Sequence, residues 1–159
     1  MESTSGCTGT RPAESLTVAR LYEFADLLRH HGRQQKMGED QALGRRGEDI
    51  AHRFLQRTGI IVVDRNYRMA SGAGELDLVG WEGDTLVFVE VKARETDAHG
   101  APDRAIGPQK ERNLVRAARE YARHAEVPWQ KVRFDVVSIV LSTPPAISHY
   151  RDVFGPSVA

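Results

Sequence analysis

The chain has 159 residues, with 22 Lys and Arg against 22 Asp and Glu, one cysteine and 40% hydrophobic residues. That length suits one domain; the short apolar runs exclude a transmembrane helix, which needs roughly 20 residues, and the lone Cys7 excludes an internal disulfide. With no charged-then-apolar leader and no Cys/His cluster of zinc spacing, the sequence predicts a soluble cytoplasmic protein, and its zero net charge argues against nucleic acid as a partner unless the charges are segregated.

Residues 1–14 are rich in Ser, Thr and Gly and read as a disordered tail. Leu16, Leu21, Phe24, Leu27 and Leu28 give residues 15–31 a broad apolar side, which predicts a helix, and 32–40 are polar again. Residues 1–40 therefore form an N-terminal extension. Met37, just before the patterned region, is a candidate native start that an N-terminal mass would test. Leu43, Gly47, Ile50, Ala51, Phe54 and Leu55 recur at helical spacing and Gly59 supplies a stop, so a helix is expected over about 41–57. Residues 60–68 predict a strand with a turn around Arg65-Asn66. Residues 74–81 and 85–94 predict a hairpin around Glu82-Gly83-Asp84. Gly100, Pro102 and Gly107 mark 95–107 as a loop, and Pro108 opens a helix to about 124 with Leu114, Ala117, Ala118, Tyr121 and Ala125 on its apolar face. Residues 131–141 read as a strand, and 143–159, after Pro144-Pro145, as an irregular tail. The order α-β-β-β-α-β predicts an α/β domain over 41–142 with a central mixed sheet flanked by helices.

The hairpin carries the chemistry. Alternation puts Val87, Val89 and Val91 on one face of its second strand and Leu86, Phe88, Glu90 and Lys92 on the other. Such apolar surroundings predict a strand covered on both faces, where an ion costs several kcal/mol unless it is paired or binds something. A two-residue turn at Gly83-Asp84, or a four-residue loop, pairs Glu82 with Thr85 and sets Asp77 opposite Glu90 and Glu75 opposite Lys92. A three-residue loop without a bulge would put Asp77 on the other face. Carboxylates directly opposed, with Cβ atoms about 4.5–5.5 Å apart, repel unless one is protonated or a cation lies between them. Mg²⁺ typically takes one or two carboxylates plus water and substrate phosphate. The same residues also fit a structural ion network, with Lys92 bridging Glu75 and Glu90.

An acid on a strand, a hairpin, then Glu-x-Lys on the next strand resembles the PD-(D/E)xK nuclease superfamily with the restriction-endonuclease-like fold. More closely, LGRRGEDIAHRFLQRTG (43–59), DRNYR (64–68), GELDLV (74–79), FVEVKAR (88–94) and RFDVVSI (133–139) resemble the YraN-like family of predicted endonucleases, relatives of archaeal Holliday-junction resolvases. Leu76 stands before the acid where the superfamily name has Pro, and residues 1–40 fall outside the match. The resemblance implies that Asp77 and Glu90 are metal ligands, with the Val91 carbonyl as a third, and that Lys92 orients or helps deprotonate the attacking water or stabilises charge. It implies that Glu48 stands beside the Mg²⁺ or Mn²⁺, which the helical wheel permits at roughly 90° from the apolar centre; by itself Glu48 reads as a solvated flank residue, and Asp49 points to solvent. Glu75 is then a partner of Lys92 or an extra ligand.

DNA is the substrate the resemblance implies. Lys110, in the first turn of its helix and resembling a family lysine there, and Arg65, Arg68 and Arg94 around the hairpin are the expected nucleic-acid contacts. Arg112, Arg116, Arg119 and Arg123 form a stripe within about 60° of one another, either a phosphate track or a solvated face. Arg133 and Asp135 are expected to form an internal salt bridge, and Trp81 to pack at the hairpin end rather than stack on a base. Eighteen of the 22 cations are Arg, which suits forked phosphate contacts or reflects a GC-rich genome. The leading expectation is a metal-dependent DNA endonuclease, acting on branched or recombination structures. The alternatives are a nucleic-acid-binding module that does not cleave, and a scaffold whose hairpin charges are structural. A homodimer would bring two sites onto two strands, though no sequence feature demonstrates one.

Overall fold

The structure is a computed structural model that describes residues 38–72, 74–96 and 105–155. The helix expected over 15–31 and most of the 95–107 loop lie outside these residues. Contacts group the chain into Met1–Asp40 and Gln41–Ala159, and the sheet belongs to the second unit.

Helix α1 covers residues 38–57, three residues more at its start than the periodicity predicts. It ends at the expected Gly59, where the Ile60 N–H donates to the Leu55 carbonyl at 2.9 Å. Then come β1 (Ile61–Arg68), β2 (Glu75–Glu82), β3 (Thr85–Arg94), α2 (Pro108–His124), a short 3-10 turn (Trp129–Lys131), β4 (Val132–Val140) and β5 (Ala146–Tyr150). The strands form one sheet in the order β1-β2-β3-β4-β5, antiparallel except for the β3–β4 pair. Helix α2 is the crossover that a parallel pair requires. No described helix is long and apolar enough to cross a membrane.

Two expectations are corrected. No turn breaks β1 at Arg65-Asn66: the strand runs through, with Asn66 at φ 53° and a register shift between Val62 and Asp64. The tail after Pro145 is not irregular, because Ala146–Tyr150 pairs antiparallel with β4 as an edge strand. That strand is short and half polar, so little in its own pattern announces it. Tertiary bonds hold it: buried Asp135 on β4 takes His149 Nε2 at 2.8 Å and the Asp152 N–H at 3.0 Å. Asp135 also receives Arg133 through Nε and Nη2 at 2.8 and 2.9 Å, the internal salt bridge the sequence predicts.

Both faces of the sheet are covered. On one side α2 packs Leu114, Ala117 and Ala118 against Leu86, Phe88 and Phe134, and Trp81 packs there too. On the other, Ala51 and Leu55 of α1 meet Leu78, Val87, Val89 and Val137. Gly83 at φ 60° makes the two-residue turn that pairs Glu82 with Thr85, as the sequence predicts. Gly47 lets α1 approach β3 closely: a methyl there would collide with the Ala93 side chain. That contact sets Glu48, one residue on, over the end of β3.

Candidate active site

The backbone pairing of β2 with β3 ends at Leu78–Val89, while β3 stays paired with β4 as far as Arg94. The two hairpin strands thus part just before Asp77 on one side and Glu90-Val91-Lys92 on the other. Into this fork the Asp77 carboxylate reaches across, its Oδ2 accepting the Val91 N–H at 2.8 Å. In an extended strand the N–H and C=O of one residue leave on the same side, so the Val91 carbonyl also faces the fork.

The fork is electrostatically tense. Asp77 is raised from 3.8 to about 7, first by burial and then by Glu90, with Glu48 adding to the push and the Val91 N–H and Lys110 opposing it. Glu90 has a side chain only 12% exposed, and Lys110 Nζ lies 3.1 Å from its Oε2. Lys110 feels Asp77 and Glu75 as well as Glu90. Glu48 is not a solvated flank residue. Its side chain is 14% exposed, and it accepts a hydrogen bond from Asn66 Nδ2 at 2.8 Å, with Arg65 at 3.6 Å. Asp49 faces solvent as expected and takes Arg65 at 2.7 Å.

Lys92 Nζ donates to the Ala105 carbonyl. Glu90 meets Lys110 and Glu75 meets Arg68, the latter at 3.4 Å. Of the expected nucleic-acid contacts, Arg65 is thus drawn to α1, Arg68 to Glu75 and Lys110 to Glu90, while Arg94 is partly buried at the end of β3. A cleft of about 450 Å³ is lined by Arg68, Gly72, Gly74, Glu75, Asn113 and the Lys110 that pairs with Glu90. The arginine stripe of α2 is exposed; within it Arg119 lies 4.7 Å over the Trp129 ring and Arg112 bonds Gln109.

Asn66 and Asn113 join the site without a charge to single them out. Asn66 fixes Glu48 from a backbone conformation that Asn tolerates better than most residues. The RNYR run held that hint, but its partner is 18 residues away on another element.

The model of the uncharacterised protein family UPF0102 matches residues 47–139, which include every residue of the fork. This chain belongs to that family. A UPF0102 protein of Solibacter usitatus is 45% identical over 137 residues, covering 86% of this chain and 99% of its own. One from Rhodococcus opacus is 44% identical over 120 residues, 74% of this chain and 100% of its own. Another from Geobacter sulfurreducens is 39% identical over 117 residues, 72% and 90%. The UPF0102 match thus extends over α1, the hairpin, α2 and β4 together.

Proposed function

We propose that this UPF0102 chain is a metal-dependent endonuclease of the restriction-endonuclease-like superfamily that hydrolyses DNA phosphodiester bonds, with branched or recombination intermediates as its substrate class. One observation carries the reading: where β2 and β3 part, Asp77 is bonded to the Val91 N–H at 2.8 Å beside the 12% exposed Glu90, so that two largely buried carboxylates share one fork. Burial and the Glu90 charge raise the Asp77 carboxyl, and a carboxyl perturbed in that way is a functional-site candidate. The mixed sheet with a parallel central pair and helices on both faces is in keeping with that superfamily.

The donor set fits Mg²⁺ or Mn²⁺ better than zinc. Among the described residues no three His, Cys, Asp or Glu side chains form a ready cage, but Mg²⁺ keeps most of its waters and needs only one or two carboxylates. Asp77 and Glu90 would hold it, with the Val91 carbonyl and Glu48 as further oxygen ligands. The bound ion would polarise the scissile phosphate and lower the pKa of its water. Lys92, steadied by the Ala105 carbonyl, would present a fixed positive charge where negative charge develops on the phosphate. Arg68 and Lys110 at the cleft would meet the phosphate backbone. The neutral total charge is then the sum of an acidic fork and a basic rim.

The test is incubation with branched, single-stranded and duplex DNA plus Mn²⁺, with Asp77→Ala and Lys92→Ala as controls. Cleavage of wild type alone is expected. Cleavage that survives in Lys92→Ala would remove this site from the reaction. A second reading, a nucleic-acid-binding module without cleavage, draws on the pairs Lys110–Glu90 and Arg68–Glu75, which a purely structural network would also contain. Metal-independent DNA binding with no cleavage would favour it.

A further inference from the structure

We infer that the Lys110 ammonium is the protein's internal stand-in for the divalent cation, closing the Asp77–Glu90 fork when no metal is bound and withdrawing into the adjacent cleft when one is. This rests on the metal site proposed above and names the device that loads it.

The geometry supplies three parts of the argument. First, Nζ lies 3.1 Å from Glu90 Oε2, and the fields of Asp77 and Glu75 converge on the same ammonium. A divalent ion and an ammonium cannot both occupy that carboxylate pair, because like charges a few ångströms apart repel strongly in a poorly solvated site. Second, Glu90 is held while Lys110 can leave. The Glu90 side chain is 12% exposed on a central strand, whereas the Lys110 side chain is 46% exposed in the first turn of α2. Third, there is somewhere to go. Lys110 itself lines the cleft of about 450 Å³, between Asn113 on its own helix and Arg68 and Gly74 across from it. Gly74 matters here because a side chain at that position would strike the Asn113 carbonyl at 2.7 Å and disturb the wall of the cleft.

The consequence is a coupling. Without metal, Lys110 lowers the repulsion between the buried carboxylates and lowers metal affinity by competing for the same oxygens. A phosphate in the cleft gives the displaced ammonium a new partner, so metal and phosphate bind more tightly together than apart, and the effect is reciprocal.

The probe is Mn²⁺ alone, titrated calorimetrically into the full chain as wild type, Lys110→Gln, Lys110→Arg and Asp77→Asn, with unfolding followed in chelator and in saturating Mn²⁺. Lys110→Gln is expected to bind Mn²⁺ about tenfold more tightly, equivalent to about 1.4 kcal/mol, and Lys110→Arg no more tightly than wild type. Lys110→Gln is also expected to lose melting temperature in chelator and to regain it in Mn²⁺, because the ion then does what the ammonium did. An unchanged or weaker Mn²⁺ affinity in Lys110→Gln, or a stability loss that persists in Mn²⁺, would overturn the stand-in role while leaving the metal site intact. Absence of Mn²⁺ binding in wild type and Lys110→Gln alike, or equal binding by Asp77→Asn, would overturn the metal site and this inference with it.

Discussion

Asp77 Oδ2 takes the Val91 N–H at 2.8 Å at the point where β2 and β3 stop pairing. A side-chain carboxylate thereby fills the place of a backbone carbonyl at the end of a ladder. The bond satisfies a strand N–H that parting would otherwise leave unpaired. It also holds the carboxylate against Glu90, which is how the architecture of a hairpin becomes the chemistry of a site.

The first prediction follows from the raised Asp77. Its folded value of about 7 lies above its unfolded 3.8, so the folded chain holds this proton more tightly. Metal-free stability from this group is fully present below about pH 4 and is lost as pH rises to about 7. Asp77→Asn keeps an oxygen for the Val91 N–H but carries no charge. Denaturant unfolding in chelator should therefore show the variant gaining on wild type between pH 4 and pH 8, by on the order of a few kcal/mol. A constant difference across that range would mean that Asp77 titrates like a solvated carboxylate. Adding Mn²⁺ at pH 8 should stabilise wild type and leave Asp77→Asn unmoved.

A second prediction concerns the approach of α1. Gly47 abuts Ala93, so Gly47→Ala should push the helix off β3, at a cost of about 1–3 kcal/mol in unfolding. Because Glu48 rides on that turn, Mn²⁺-dependent nicking should fall as well. Pairing Gly47→Ala with Ala93→Gly removes the colliding methyl and should recover most of both losses. Failure of the double variant to recover nicking would separate Glu48 placement from the helix contact.

Much of this was legible because it is local. The hairpin register follows from a two-residue turn with Gly at its first position, and α2 starts at Pro108 and ends at His124 as its period and Pro dictate. The trio of two acids and a lysine, Asp77, Glu90 and Lys92, is readable as a pattern. What Lys110 touches was not, since the pairing of a first-turn lysine with Glu90 on β3 depends on how a crossover helix settles on the sheet. Likewise Glu48 looked solvated on a wheel, because a wheel does not contain Asn66 from the neighbouring strand. Strand β5 escaped for the same reason: Asp135 gathers Arg133 and, from farther along the chain, His149 and the Asp152 N–H, and a five-residue edge segment says little alone.

That Asp135 cluster yields a third prediction. Burial pushes its carboxyl up, but His149, Arg133 and the Asp152 N–H outweigh burial and leave it below the usual value of 3.8. Its contribution is thus present at neutral pH and lost as pH falls below about 4. Asp135→Asn takes away the buried carboxylate that Arg133 and His149 share, leaving Arg133 with Glu82 alone at 2.5 Å. A loss of about 1.5–3 kcal/mol is expected at pH 7, with β5 amides exchanging faster with solvent than those of β3. Protection of β5 equal to that in wild type would mean that strand pairing alone holds the tail.

The last prediction separates the cleft from the arginine stripe. Arg68 has a side chain 73% exposed at the rim of the cleft, beside Lys110 and the fork, and its contact with Glu75 is a long 3.4 Å. Such a weak exposed pair is readily exchanged for a phosphate. Arg116, by contrast, is exposed on α2 opposite the face that meets the sheet. In a Lys92→Ala background, which keeps the DNA intact, anisotropy titrations of branched DNA across salt concentrations measure how many phosphates are neutralised. Arg68→Ala should weaken binding and reduce the slope of log affinity against log salt by about 1. Arg116→Ala should leave that slope unchanged, because a strand seated at the fork does not reach the outer face of the helix. The reverse result would move the DNA path off the cleft and onto the back of α2, away from Asp77 and Glu90.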